Sequence, residues 1–472
     1  MSIGVGGLMS GLDTESIITR IMQIERRPIV LLQNQEAAFQ ARISAFGALR
    51  GMLSELQSAT LTLRNPALFS GFAVGSTRPE IATATATTAA IAGAYQLRVD
   101  ALARVQQVRS AAFAAGNQVV GTGSLRIQVG TAAAVTVMID PTNNTLTGIA
   151  GAINQAPAGG VVAGVIHDGL GQHFLTLTAQ ATGSANTISL TITDNDGIHN
   201  DARGLSAIYA DPPTRTMTQT QAAANARLTI NGIGVQRAGN SIDDLITGIT
   251  LNLKTADPAQ TFELRVTHDA AAVSTKVQNF VETYHRVLGV LRTLQAVDPA
   301  AGTAGPLQGD GASRLLNSRL HSFLFTRVAG VDAAVNTLSN LGVRLDREGN
   351  LSFDAGVFSA AYAAHPAEVR KFFTQSTAGG EGLARQLDSF LGNYTKSVTG
   401  LLVAKEQGLN QSVSRVGDQV ERIESRLIQR EAILRRQFEN LELLLGQFQL
   451  TAGVLTKQLD ALRNLNTQIA GN

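Results

Sequence analysis

Few residues in this chain are placed to do chemistry. The closest histidines, His167 and His173, flank the turn in "HDGLGQH". Two imidazoles suit a transition metal, but a site needs further ligands, so the stretch reads first as a surface turn. "DNDGIHND" places Asp194, Asp196 and Asp201 much as a calcium loop would, yet it lacks the glutamate at the twelfth position of an EF-hand. A solvated turn is again the preferred reading. "GVGGLMSG" has glycines, but no strand precedes it and the spacing is wrong for a dinucleotide loop. Neither G-x-S-x-G nor H-E-x-x-H occurs. No enzyme, metal or cofactor is expected.

The elements that would carry any other function are bounded by composition. At 472 residues the length prior is about three domains. No window approaches the roughly 18 consecutive apolar residues of a membrane span, so membrane insertion is not expected. The net charge is +2 with both signs interspersed, which gives no argument for nucleic acid. Cysteine is absent, excluding disulfides and thiolate metal sites and leaving the compartment unread.

The chain opens on "GVGGLMSGLDTESIITRIMQIERRP", apolar enough to raise the question of a targeting signal. No Lys or Arg precedes Arg20, and Ser10, Asp13, Thr14, Glu15 and Ser16 interrupt the apolar run, so a cleaved secretory signal is not expected. Asp13 stands where a short acceptor caps a helix, and Pro28 can begin a second one. Leu31, Leu32, Ala38, Ala45, Leu49, Met52, Leu56 and Leu63 follow at helical spacing until "RNPALFSG" breaks it. From about 74 to 268 the pattern becomes strands and turns, as in "SLRIQV", "AVTVMI", "HFLTLTA" and "NTISLTIT", with a short helix in "NTLTGIAGAINQA". "RLTINGIGVQ" carries an Asn-Gly hairpin signal. "DARGLSAIYADPPTRTMTQTQAAANA" shows no period and reads as a link between two β-rich units. Helices return from about 270 to 400, around a small β-like piece, "GVRLDREGNLSF".

The last section repeats every seven residues. Val413, Val420, Leu427, Leu434, Leu441, Phe448, Leu455, Leu462 and Ile469 are all apolar, and a companion seam from Leu409 through Val416 and Ile423 is mixed. Such a heptad predicts a coiled coil. Part of it is expected to be covered by residues 31–63 and the rest by neighbouring copies. Near 441–455 the apolar set widens around most of the circumference, as it does in the first helix, so self-assembly through the termini is expected. The interface residues expected are this heptad series with Leu8, Leu12, Ile17, Ile21 and Ile24. Arg422, Arg426, Arg430, Arg435 and Arg436 alternate with glutamates and read as a solvated ion-pair face rather than a binding patch. Gly408, Gly417, Gly446 and Gly453 each cost about 1 kcal/mol relative to Ala in a helix. They either permit bending and close approach or are tolerated on outer faces.

Several stretches resemble one family. "SGLDTESIITRIMQIERRPIVLLQNQ", "GAYQLRVDALARVQQVRSAAF", "LTINGIGVQRAGNSIDDLITGITLNLK", "LQGDGASRLLNSRL", "LGVRLDREGNLSFD", "HPAEVRKFF" and "RRQFENLELLLGQFQLTAGVLTKQL" occur in the order found in the flagellar hook-associated protein 2 (filament cap) family. The resemblance covers nearly the whole chain. It implies an α+β multidomain fold in which paired terminal helices form a coiled-coil leg, joined to a helical leg domain, with two β-rich head domains inserted between. The divisions expected are terminal helices 1–74, an inner head of 75–103 plus 225–269, an outer head of 104–224, a helical leg of 270–400 and a C-terminal coiled coil of 401–472. The resemblance further implies an extracellular ring at the distal filament tip that retains exported flagellin and adds it to the filament. Hook-associated junction proteins, and an export chaperone bound through the C-terminal region, are implied partners. Export through the flagellar type III channel is implied too. Two alternatives stay open: a flagellin or junction protein, and a surface adhesin using the β head. The return strands and "LGVRLDREGNLSFD" favour the cap.

Overall fold

Asp13 starts the first helix, its carboxylate accepting the Ser16 amide at 3.0 Å and so satisfying a donor that a helix start leaves open. This computed structural model describes residues 13–156, 159–199, 201–211, 215–300, 302–377 and 380–469, with side chains described as far as Asn464. The chain divides into two compact units. Met1–Asn65, Ser274–Ala361 and Ala367–Asn472 form one, and Pro66–Val273 with Tyr362–Pro366 form the other. Helix α1 (Thr14–Glu25) ends at Arg26, and α2 (Arg27–Arg64) carries Pro28 in its first turn. Then come α3 (Leu146–Gln155), α4 (Ala270–Gln295), α5 (Gly311–Leu324), α6 (Ala355–Ala364), α7 (Pro366–Thr374), α8 (Leu383–Thr395) and α9 (Leu401–Ile469). At 69 residues α9 is about 100 Å long.

In the helical unit, α2 turns Phe46, Leu49, Leu53, Leu56 and Leu63 inward at helical spacing, and all five are buried. It packs on both α8 and α9. Gln57 on α2 donates to Asp388 at 2.9 Å and accepts from the Thr395 hydroxyl at 2.7 Å, while Arg64 pairs with the same Asp388. These bonds fix the register of α8 on α2. Tyr284 of α4 is fully buried, its hydroxyl donating to the Leu320 carbonyl of α5, and burial pushes the phenol pKa up.

The second unit is built from antiparallel sheets. One has the order Phe72–Ser76, Phe262–His268, Gly93–Ala101, Ala226–Ile230, Ile233–Arg237, and another runs Ser241–Ile246, Ile249–Leu253, Ala82–Ala86. Period-two alternation sets their inner faces: Leu97 and Val99 are buried with Arg98 turned away, as are Phe262, Leu264 and Val266 with Glu263 and Arg265 between them. Ile230 pairs with Ile233 across Asn231-Gly232, both at positive φ (50° and 83°), which that two-residue turn requires. Asn231 also accepts the Gln96 amide at 2.8 Å, clasping the neighbouring strand.

A separate hydrophobic cluster lies in the segment between these strands. It gathers Leu125, Ile127, Leu146, Ile149, Leu175, Leu177 and Leu190 among others, from two further sheets and α3. Thr145 caps α3 by accepting the Gly148 amide at 3.1 Å. The aperiodic stretch after 201 is more than a link. Gly204–Ile208 forms a 3-10 turn and Thr218–Gln221 a strand, and Leu205, Ile208, Ala210 and Met217 are buried in this cluster. The apolar residues stand too far apart to show a period, yet each fills a separate place in the core. Gln106 is fully buried here, donating to Gln219 at 2.7 Å and accepting the Ile188 amide.

Candidate functional site

Helices α1 and α2 lie along α9. Glu15 pairs with Arg435, Glu25 lies 3.5 Å from Arg430, and further along Arg50 lies 3.7 Å from Glu406. As α1 and α2 advance, their partners on α9 recede, so the arrangement is antiparallel. Ile18, Met22 and Ile29 bury against Leu427 and Leu434, with Ile21, Val420, Ile423 and Phe438 packed around them. The ion pairs flank this apolar strip, and Arg435 also bonds Glu431 at 3.0 Å. Among the arginines of the α9 face, Arg430 and Arg435 therefore tie down α1. Beside the strip, a groove of about 370 Å³ is lined by Met22, Ile29, Leu427 and Ile428, with Arg26, Glu424 and Glu431 at its walls.

Of the residues expected at the assembly interface, the single chain buries some and leaves others exposed. Val413, Val420, Ile17 and Ile21 are half-buried. Leu427 and Leu434 are 7% and 8% exposed, but Leu441, Phe448, Leu455 and Leu462 are 44%, 67%, 57% and 63% exposed. The same heptad is thus covered over its first half and open over its second. Ile24 is 59% exposed, because the face of α1 that meets α9 is the one carrying Ile18 and Met22. Leu8 and Leu12 lie outside the described residues. Ile469 is on the described helix, but its side chain is not described. Ile18, Met22 and Ile29 were not among the residues expected at the interface. Their steps of four and seven, carried across the Arg26 break, were the available signal.

The chemistry-bearing stretches form strand ends and turns. His167 and His173 face each other across a hairpin with ring centroids 4.6 Å apart. Asp194 accepts the Ser206 amide at 3.0 Å, Asp201 accepts the Arg203 amide at 3.0 Å, and His199 Nδ1 accepts the Asp194 amide at 3.1 Å. Among the described residues, no three His, Cys, Asp or Glu side chains are grouped to hold a metal, and no helix is long and apolar enough to cross a membrane.

Paired terminal helices with apolar surface left over, carried on one chain with a many-stranded β unit, define the class of a structural assembly protein. The family models of the flagellar hook-associated protein 2 N-terminus and C-terminus match residues 10–106 and 223–450. The chain belongs to the flagellar hook-associated protein 2 family. It is 29% identical over 482 residues to the A-type flagellar hook-associated protein 2 of Pseudomonas aeruginosa, covering 98% of both chains. It is 28% identical over 474 residues to the Escherichia coli K12 flagellar hook-associated protein 2, covering 97% of this chain and 98% of that one. The crystal structure of the D1-D2-D3 domains of the E. coli flagellar cap protein superposes with a TM-score of 0.57 at 28% identity. It covers 78% of this chain and 99% of its own. Between the two matched spans lie residues 107–222, the segment that supplies nearly all of the second β cluster.

Proposed function

We propose that the protein forms the structural cap at the distal, extracellular tip of the bacterial flagellar filament. Several copies make a closed plate that retains exported flagellin and promotes its folding and insertion beneath the plate. The observation that carries this reading is the division of the α9 heptad: Leu427 and Leu434 are buried under α1 and α2, while Leu441, Phe448, Leu455 and Leu462 stay 44%, 67%, 57% and 63% exposed. Full burial of such a side chain is worth about 1.5–3 kcal/mol, and much of that gain is still open at these four positions. Neighbouring copies and flagellin are the surfaces that supply it. The reading divides the chain into terminal helices 1–74, inner head 75–103 with 225–269, outer head 104–224, leg 270–400 and C-terminal coiled coil 401–472. The separate clusters of the β unit support the split of the head. Contacts with the hook-associated junction proteins, and with an export chaperone through the C-terminal region, belong to the same reading.

The experiment is light-scattering mass against concentration for the full chain, paired with filament growth in cells whose own cap protein is deleted. A discrete closed oligomer together with restored filaments supports the cap. Open-ended growth of the purified chain would support a flagellin-like role instead, and a closed oligomer that restores no filament would sink the proposal.

A further inference from the structure

A short hairpin in the helical unit pairs Val343 with Phe353 and Leu345 with Leu351. Two three-residue strands do not stay folded alone in water, so this hairpin depends on what it rests against. The outer edge of its second strand meets α4. The Leu351 amide donates to Nδ1 of His285 at 3.2 Å. Two residues earlier, the Gly349 carbonyl accepts from Arg292 at 3.2 Å. His285 and Arg292 are two turns apart on one face of α4, and together they fill the place of a third strand.

An amide can donate only to a ring nitrogen that holds a lone pair. Nδ1 of His285 is therefore unprotonated, and the ring proton of the neutral imidazole sits on Nε2. We propose that His285 is a pH-sensitive latch, holding the hairpin on α4 while neutral and releasing it when protonated. The imidazolium would place an N–H against the N–H of Leu351, turning an attraction into a repulsion. An open groove of about 620 Å³, walled by His285, Glu282, Arg286, Leu351 and Phe353, gives water access to the ring.

The charged groups around His285 do not replace the lost bond. On α4, Glu282 accepts from Gln278 at 2.9 Å, and Arg286 lies 3.5 Å from Glu55 of α2. On the hairpin, the Asp346 carboxylate is held by the Asn350 amide and side chain, and Asp354 accepts the Gly356 and Val357 amides. Glu348, Arg344 and Arg347 complete the set, and Arg292 is committed to Gly349. Release of the strand would loosen Phe353 from Phe358, whose rings lie 5.7 Å apart.

Hydrogen-exchange mass spectrometry on the full chain tests this, following a peptide spanning 343–354 at pH 8 and pH 5 after correction for intrinsic exchange. Acid should speed exchange at Leu351 about fivefold to tenfold, the loss of one hydrogen bond, and leave α4 unchanged. His285→Gln keeps an acceptor that does not titrate, so its hairpin should show no pH step. Nitrogen-15 histidine spectra of the wild type should show the Nε2–H tautomer at pH 8, a readout that needs no variant. Equal protection at both pH values, the same acid step in His285→Gln, or a proton on Nδ1 at pH 8 would each overturn the latch.

Discussion

Arg435 on α9 reaches Glu15 on α1, 420 residues earlier in the chain, while also bonding Glu431 one turn back on its own helix. One guanidinium thus joins the two ends of the sequence, beside the strip where Ile18 meets Leu434. The charge pair sits on the rim and the apolar strip is shielded, so the two should differ sharply in weight.

Both Glu15 and Arg435 are about half exposed, and exposed pairs contribute about 1 kcal/mol or less. A double-mutant cycle of Glu15→Gln and Arg435→Gln, read by urea unfolding, should give a coupling no larger than that. It should shrink further in 1 M salt, where the Debye length is about 3 Å. Leu434→Ala in the adjacent strip should cost about 2–4 kcal/mol.

The two halves of the α9 heptad should separate by assay. Leu427→Ala lowers the stability of the single chain by about 2–4 kcal/mol, since it opens a cavity. Leu441→Gln, Phe448→Gln and Leu455→Gln replace side chains that are 44%, 67% and 57% exposed, so the unfolding midpoint of the monomer should move much less. Light-scattering mass and filament growth should fall with these three instead. Equal loss of monomer stability in both sets would mean that the open half is covered within the chain.

Asp310 caps α5 by accepting the Ser313 amide at 2.8 Å and pairs with Lys405 of α9 at 2.9 Å. Partial burial pushes its pKa up, but the Lys405 and Ser313 hydrogen bonds outweigh it and hold the carboxyl below the usual range. A depressed carboxyl pKa stabilises the fold above its unfolded value and is lost as pH falls through the folded one. Thermal scans should therefore show the helical unit weakening below about pH 4. Asp310→Asn keeps the cap but not the charge, and should flatten that acid limb. Asp310→Ala loses both, at about 1 kcal/mol for the cap alone.

Glycines in the two units should respond oppositely to a methyl group. Gly248 has φ of 72°, and a Cβ there would come within 2.5 Å of the Ala90 amide nitrogen. Gly248→Ala should cost about 1–3 kcal/mol. At Gly408, Gly417 and Gly453 a Cβ meets nothing within 4 Å among the described residues, so close approach between those residues does not require them. Alanine at these three should stabilise α9 by about 1 kcal/mol each. Filament growth decides whether that stiffness is harmful: unimpaired growth of the triple variant would remove the case for a flexible leg.

Local pattern determined much of this protein. The Asp13 cap, the break before α2, the Asn231-Gly232 turn, α3 and the length of α9 were legible because each is decided by neighbours within a turn or two. The heptad was legible for the same reason, since its seven-residue step is a property of one helix. What tertiary structure alone decided is which part of that seam is covered. Leu434 and Leu441 are the same residue type one heptad apart, yet one is 8% exposed beneath α1 and the other 44% exposed. The choice of Ile18 and Met22 over Ile24 as the covered face, the use of Leu205 and Met217 as core, and the imidazole of His285 standing in for a strand have the same origin. Each depends on which distant segment arrives at that surface, and a residue's sequence neighbours carry no record of that.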